Sequence, residues 1–132
     1  MKPRQEWYSE LLYRSAAKWG LPVPADQPYI DDDNSPYPKP NIVEVLRWEG
    51  DKPWLYAEIK LVTLNGLWAY AGGYSQTNLS SSFPALLKFC EPLPTREDAL
   101  LAVIAWIQRT PDLDPKLAAW LETLAPMQLS LF

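Results

Sequence analysis

Residues 54–74 read WLYAEIKLVTLNGLWAYAGGY, and Asn65-Gly66 divides the stretch into two strand-like runs. An Asn-Gly pair between such runs is a strong hairpin signal, because both central positions of a type I′ turn need positive φ. A two-residue turn also sets the register. Leu64 then faces Leu67, Thr63 faces Trp68, Leu61 faces Tyr70, Ile59 faces Gly72 and Ala57 faces Tyr74. Side chains alternate along a strand. One face therefore gathers Leu55, Ala57, Ile59 and Leu61 with Trp68, Tyr70 and Tyr74, and this is the face expected to be buried. The other carries Glu58, Lys60 and Val62 with Ala69, Ala71 and Gly73.

Working outward, residues 42–48 read as a further strand, joined to residues 54–64 through Gly50-Asp51-Lys52-Pro53. The facing of that first strand is open at this level, because a one-residue change in its turn reverses every side chain. Residues 67–74 make the third strand. Residues 75–94 read as a polar, proline-flanked connection, with Gln76 to Ser82 as loop and Leu86, Leu87 and Phe89 as a short edge segment packed under it. Gly72-Gly73 lacks the Gly-Lys-Ser/Thr ending of a phosphate loop and suits a bulge or a close backbone contact.

Helices flank the strands. Residues 3–19 place Tyr8, Leu11, Leu12, Ser15 and Trp19 near one face, and Gly20 is positioned to end the helix. Residues 21–40 hold Pro22, Pro24, Pro28, Pro36, Pro38 and Pro40 around Asp31-Asp32-Asp33, too many prolines for a helix or a central strand. Thr95 is a natural N-cap for the next helix, with Asp98 three residues on. The run from Ala99 to Ile107 is apolar nearly all round, which predicts a deeply buried helix. Asp114-Pro115 supplies an N-cap and a proline at N1, and Leu117, Trp120, Leu121 and Leu124 form the apolar stripe of a last helix. Pro126 ends it. The order α-βββ-αα predicts an α+β domain: a three-stranded antiparallel sheet, covered on one face, packed by an N-terminal helix and two C-terminal helices. Residues 1–126 are expected to form that single domain, with a proline-rich loop at 21–40, and residues 127–132 an exposed tail.

Composition narrows the function. The 132 residues are 48% apolar and 21% charged, a composition that folds. The net charge of −4 disfavours non-specific binding of duplex DNA, which relies on Lys and Arg. The single cysteine, Cys90, has no partner for an internal disulfide and no histidine to activate it, so a buried structural thiol is expected. The absence of histidine removes the commonest general base and the commonest metal ligand. No catalytic residues, cofactor or metal are predicted. The chain lacks an apolar run long enough to span a bilayer and a signal-peptide-like start, so a cytoplasmic protein that does not enter membranes is expected.

Three constellations carry possible chemistry. Asp31-Asp32-Asp33 with Glu44 or Glu58 would suit a metal-dependent nuclease, against the plainer reading of a solvated acidic loop. Trp54 and Tyr56 lie together on one side of the second strand; exposed, they would stack nucleic-acid bases, and covered, they would be packing. The third is the apolar segment after Pro126, Gln128-Leu129-Ser130-Leu131-Phe132.

That pentapeptide resembles, at every position, the motif by which bacterial replication and repair proteins bind the DNA polymerase III beta sliding clamp: Gln, an aliphatic residue, Ser or Asp, Leu, then Phe. The resemblance covers five residues and implies a role for each. Gln128 hydrogen-bonds the clamp through its amide, Leu129 takes a small apolar subsite, Ser130 orients the bend, and Leu131 and Phe132 enter the deep apolar pocket. A few apolar anchors filling a preformed cleft, with one polar group setting register, is sound binding logic. The competing expectation is that Leu129, Leu131 and Phe132 fold back onto their own domain. In the body, Gly72-Gly73-Tyr74 and the run Pro94-Thr95-Arg96-Glu97-Asp98-Ala99-Leu100 resemble small phage and plasmid proteins, a likeness that implies no activity. The expected function is thus non-enzymatic binding of the clamp, with nucleic-acid binding on Trp54 and Tyr56 as the alternative.

Overall fold

The computed structural model describes residues 4–23, 37–77 and 79–125. Helix α1 (Arg4–Lys18) precedes four strands, β1 (Asn41–Glu49), β2 (Tyr56–Leu64), β3 (Leu67–Gln76) and β4 (Leu79–Phe83). A single 3-10 turn (Leu87–Phe89) leads to α2 (Arg96–Gln108) and α3 (Pro115–Leu124). The protein is α+β, and its strands form one antiparallel meander in the order β1-β2-β3-β4.

The central hairpin has the expected register at each pair from Leu64↔Leu67 to Ala57↔Tyr74. Asn65 and Gly66 have φ of 52° and 78°, as a type I′ turn requires. Ala57, Ile59, Leu61 and Tyr74 are buried on one face beneath Ala99, Leu100, Val103, Ile104 and Ile107 of α2 and Leu117 and Leu121 of α3. Tyr74 meets Trp106 edge-on, with ring centroids 5.3 Å apart.

Three expectations need correction. The sheet has four strands, because the Ser-rich stretch after the third strand pairs with it through Gly72↔Phe83, Tyr74↔Ser81 and Gln76↔Leu79. Its polarity pointed to loop, but an edge strand is held by its backbone ladder and leaves such side chains in water. The second strand begins at Tyr56, so Trp54 and Leu55 belong to the preceding turn, which closes through Gly50 N–H to the Leu55 carbonyl at 2.8 Å. Finally, helices pack on both faces of the sheet, not on one. Val62, Leu64 and Ala69 on the second face pack with Leu12, Ala16 and Trp19 of α1 and with Leu87 and Cys90. Alternation showed that Val62 and Ala69 share a face, but nothing local revealed which helix lay above them.

Helix α1 ends in a Schellman arrangement: Gly20 at φ 73° donates to the Ala17 carbonyl, and Leu21 donates to that of Ala16. The Asn65 amide donates to the Trp19 carbonyl at 2.7 Å and the Trp19 indole to the Cys90 carbonyl at 2.8 Å, tying helix end, hairpin tip and 3-10 turn together. Both later helices are capped as expected. Thr95 Oγ1 accepts from the Asp98 N–H, and Asp114 Oδ1 accepts from the N–H groups of Lys116 and Leu117. Gln76 holds the α2–α3 corner, donating to the Pro111 and Asp112 carbonyls and accepting from the Asp114 N–H.

Candidate functional site

Helix α3 stops at Leu124, and Ala125 already has extended dihedrals (φ −65°, ψ 136°). The residue before a proline is driven out of the helical region by the ring that follows it. The chain thus leaves the helix before Pro126. The pentapeptide Gln128, Leu129, Ser130, Leu131 and Phe132 lies outside the described residues, as do Asp31, Asp32 and Asp33.

A groove of about 670 Å³ lies next to this exit, lined by Glu44 and Leu46 of β1, Arg96, Glu97 and Leu100 of α2, and Thr123 and Leu124 of α3. Leu100 is buried, and Leu46 and Leu124 are half-buried where they pack on the first-face core. The Arg96 guanidinium donates to Glu44 Oε2 through Nε at 2.9 Å and also through Nη2. This two-nitrogen contact fixes the mouth of the groove. The two residues are 52 positions apart, so no local pattern announced the pair.

A second groove, of about 530 Å³, opens on the half of the second face that α1 leaves bare. Tyr56, Glu58 and Lys60 of β2 form one side and Ser80, Ser81 and Ser82 of β4 the other, with Gly73 between them. A Cβ on Gly73 would stand 2.5 Å from the Ser81 carbonyl oxygen, so only a bare backbone lets β4 come so close.

The aromatic pair is divided between two elements. Trp54 is exposed in the β1–β2 turn, whereas Tyr56 is half-buried in β2 with the Arg47 guanidinium 5.2 Å from its ring centre. Arg47 in turn pairs with Glu49 and Glu58, and Lys60 lies 3.5 Å from Glu58. Arg47, the cation over Tyr56, and Lys60 further along β2 therefore face two carboxylates, leaving no surplus positive charge here for a phosphate backbone. The hydrogen bond to Glu49 is the leading cause that holds the Arg47 pKa above its ordinary value.

Among the described residues, Glu44 and Glu58 do not converge. Glu44 pairs in register with Leu61 and Glu58 neighbours Ile59 in β2, so the two carboxylates occupy opposite faces. Among the described residues, no group of three or more His, Cys, Asp or Glu side chains is placed to hold an ion. Cys90 is buried, and burial pushes its thiol up to about 11. Such a thiol is a poor nucleophile at neutral pH. Among the described residues, no helix is long and apolar enough to cross a membrane.

No family model, curated protein or solved structure matches the chain.

Proposed function

We propose that this protein binds the bacterial DNA sliding clamp through Gln128, Leu129, Ser130, Leu131 and Phe132 and either recruits a client to the clamp or competes with clamp clients. The observation that carries the reading is the agreement of all five residues with the clamp-binding pattern. The exit of the chain from α3 at Ala125 supports it, since the helix ends before the motif begins. The body contributes through whatever it brings to or keeps from the ring. The alternative, base stacking on Trp54 and Tyr56, gains from the Arg47 guanidinium over the Tyr56 ring and loses by the pairing of Arg47 with Glu49 and Glu58.

Calorimetric titration of the full chain into purified clamp tests the proposal. A single anchor peptide is expected to bind around micromolar, roughly −8 kcal/mol. Leu131→Ala with Phe132→Ala removes two anchors worth about 2 kcal/mol each, which weakens binding on the order of a thousandfold and takes it out of range. Equal binding by wild type and double variant would refute the proposal. Salt-dependent binding of single-stranded DNA, lost on Trp54→Ala, would favour the alternative instead.

A further inference from the structure

We infer that the groove between β1, α2 and α3 is a docking site for this chain's own pentapeptide, Gln128 to Phe132, so that the body and the clamp compete for the same residues. The docking stands on the groove itself; the competition rests on the clamp reading.

Position is the first argument. Thr123 and Leu124 line the groove, and the described chain ends one residue later at Ala125. Seven residues follow, 126–132. Extended, they reach at most roughly 25 Å. A return into a groove that starts at Leu124 needs far less. Tethering makes the encounter intramolecular, so the docked fraction does not depend on protein concentration.

Chemistry is the second. Leu46, Leu100 and Leu124 give the groove an apolar floor, a match for Leu129, Leu131 and Phe132. The rim is mixed, with Arg96 offering donors and Glu44 and Glu97 offering acceptors. The Gln128 amide both donates and accepts, so it meets such a rim without burying an unpaired charge. The pentapeptide has no charged side chain, and the rim has no positive surplus that would call for a polyanion.

The consequence is a set point for clamp binding. Apparent affinity falls by the fraction of molecules whose peptide is free, so docking of nine molecules in ten weakens clamp binding about tenfold. A body ligand that fills the groove would release the peptide and strengthen binding by the same factor.

The test uses the full chain with labelled leucine methyls. Leu131→Ser with Phe132→Ser is expected to shift the Leu46, Leu100 and Leu124 methyl resonances, equally at high and low protein concentration. Thr123→Arg, on an exposed wall residue outside the core, is expected to tighten clamp binding about tenfold. Unmoved methyls would refute docking, whatever the clamp does. Shifts that vanish on dilution would mean that a second copy's peptide fills the groove, which overturns the intramolecular site. Moved methyls with unchanged clamp affinity in Thr123→Arg would overturn the competition. A wild-type chain that never binds clamp sinks the proposed function while leaving the methyl result to decide the groove.

Discussion

Trp19→Phe is the sharpest probe of how the second face of the sheet is closed. Trp19 is fully buried, packs with Val62, Leu64 and Ala69, and donates its indole N–H to the Cys90 carbonyl at 2.8 Å. Phenylalanine keeps the aromatic ring but loses the donor. The Cys90 carbonyl is then left without that partner in a buried site, at a cost of about 1–3 kcal/mol. The smaller ring also leaves roughly 40 Å³ of unfilled space, worth about 1 kcal/mol at the usual cavity slope. Together the substitution is expected to lower the unfolding free energy by about 2–4 kcal/mol. Urea denaturation followed by far-ultraviolet circular dichroism measures this directly, with an unchanged slope expected because the fold itself persists. A loss below about 1 kcal/mol would show that α1 is not locked onto the sheet in solution. Clamp binding well below the denaturation midpoint is expected to be unaltered, because Trp19 and the exit from α3 lie on opposite sides of the sheet.

Gly72→Ala is expected to abolish stable folding, with protein recovered in inclusion bodies or melting below the growth temperature: Gly72 has φ 125°, and its Cβ would stand 2.1 Å from the Glu58 carbonyl oxygen. A soluble variant with wild-type melting behaviour would refute that backbone geometry. Cys90 predicts an alkaline loss of stability. Its folded pKa of about 11 lies above the ordinary thiol value of 9.0, so the unfolded chain sheds the proton first. The contribution is complete below pH 9 and drains away as pH rises towards 11, amounting to about 3 kcal/mol at most. Denaturation midpoints of wild type and Cys90→Ala, compared between pH 8 and pH 10.5, should converge as pH rises; a constant gap would count against the buried neutral thiol.

The hairpin was legible because its information is local. Asn65-Gly66 dictates positive φ at both turn residues, and a period of two then assigns every side chain of β2 and β3 to a face. The caps at Thr95 and Asp114 were legible for the same reason: each satisfies backbone donors within three residues. What escaped was non-local. β4 declares itself only through its ladder to β3, so its serines resembled loop. The pairing of Arg96 with Glu44, and the groove that pair fixes beside the end of α3, join residues far apart in the chain.

The sequence by itself therefore determined the turn chemistry, the register of the central hairpin, the helix caps and the five-residue pattern that suggests a partner, all set by neighbours a few bonds away. Tertiary structure alone decided that α1 crosses to the second face, that a fourth strand extends the sheet, and that charges and leucines from three elements meet where α3 ends. Those outcomes follow from burying apolar surface on two faces at once, a condition on the whole chain that no short window contains.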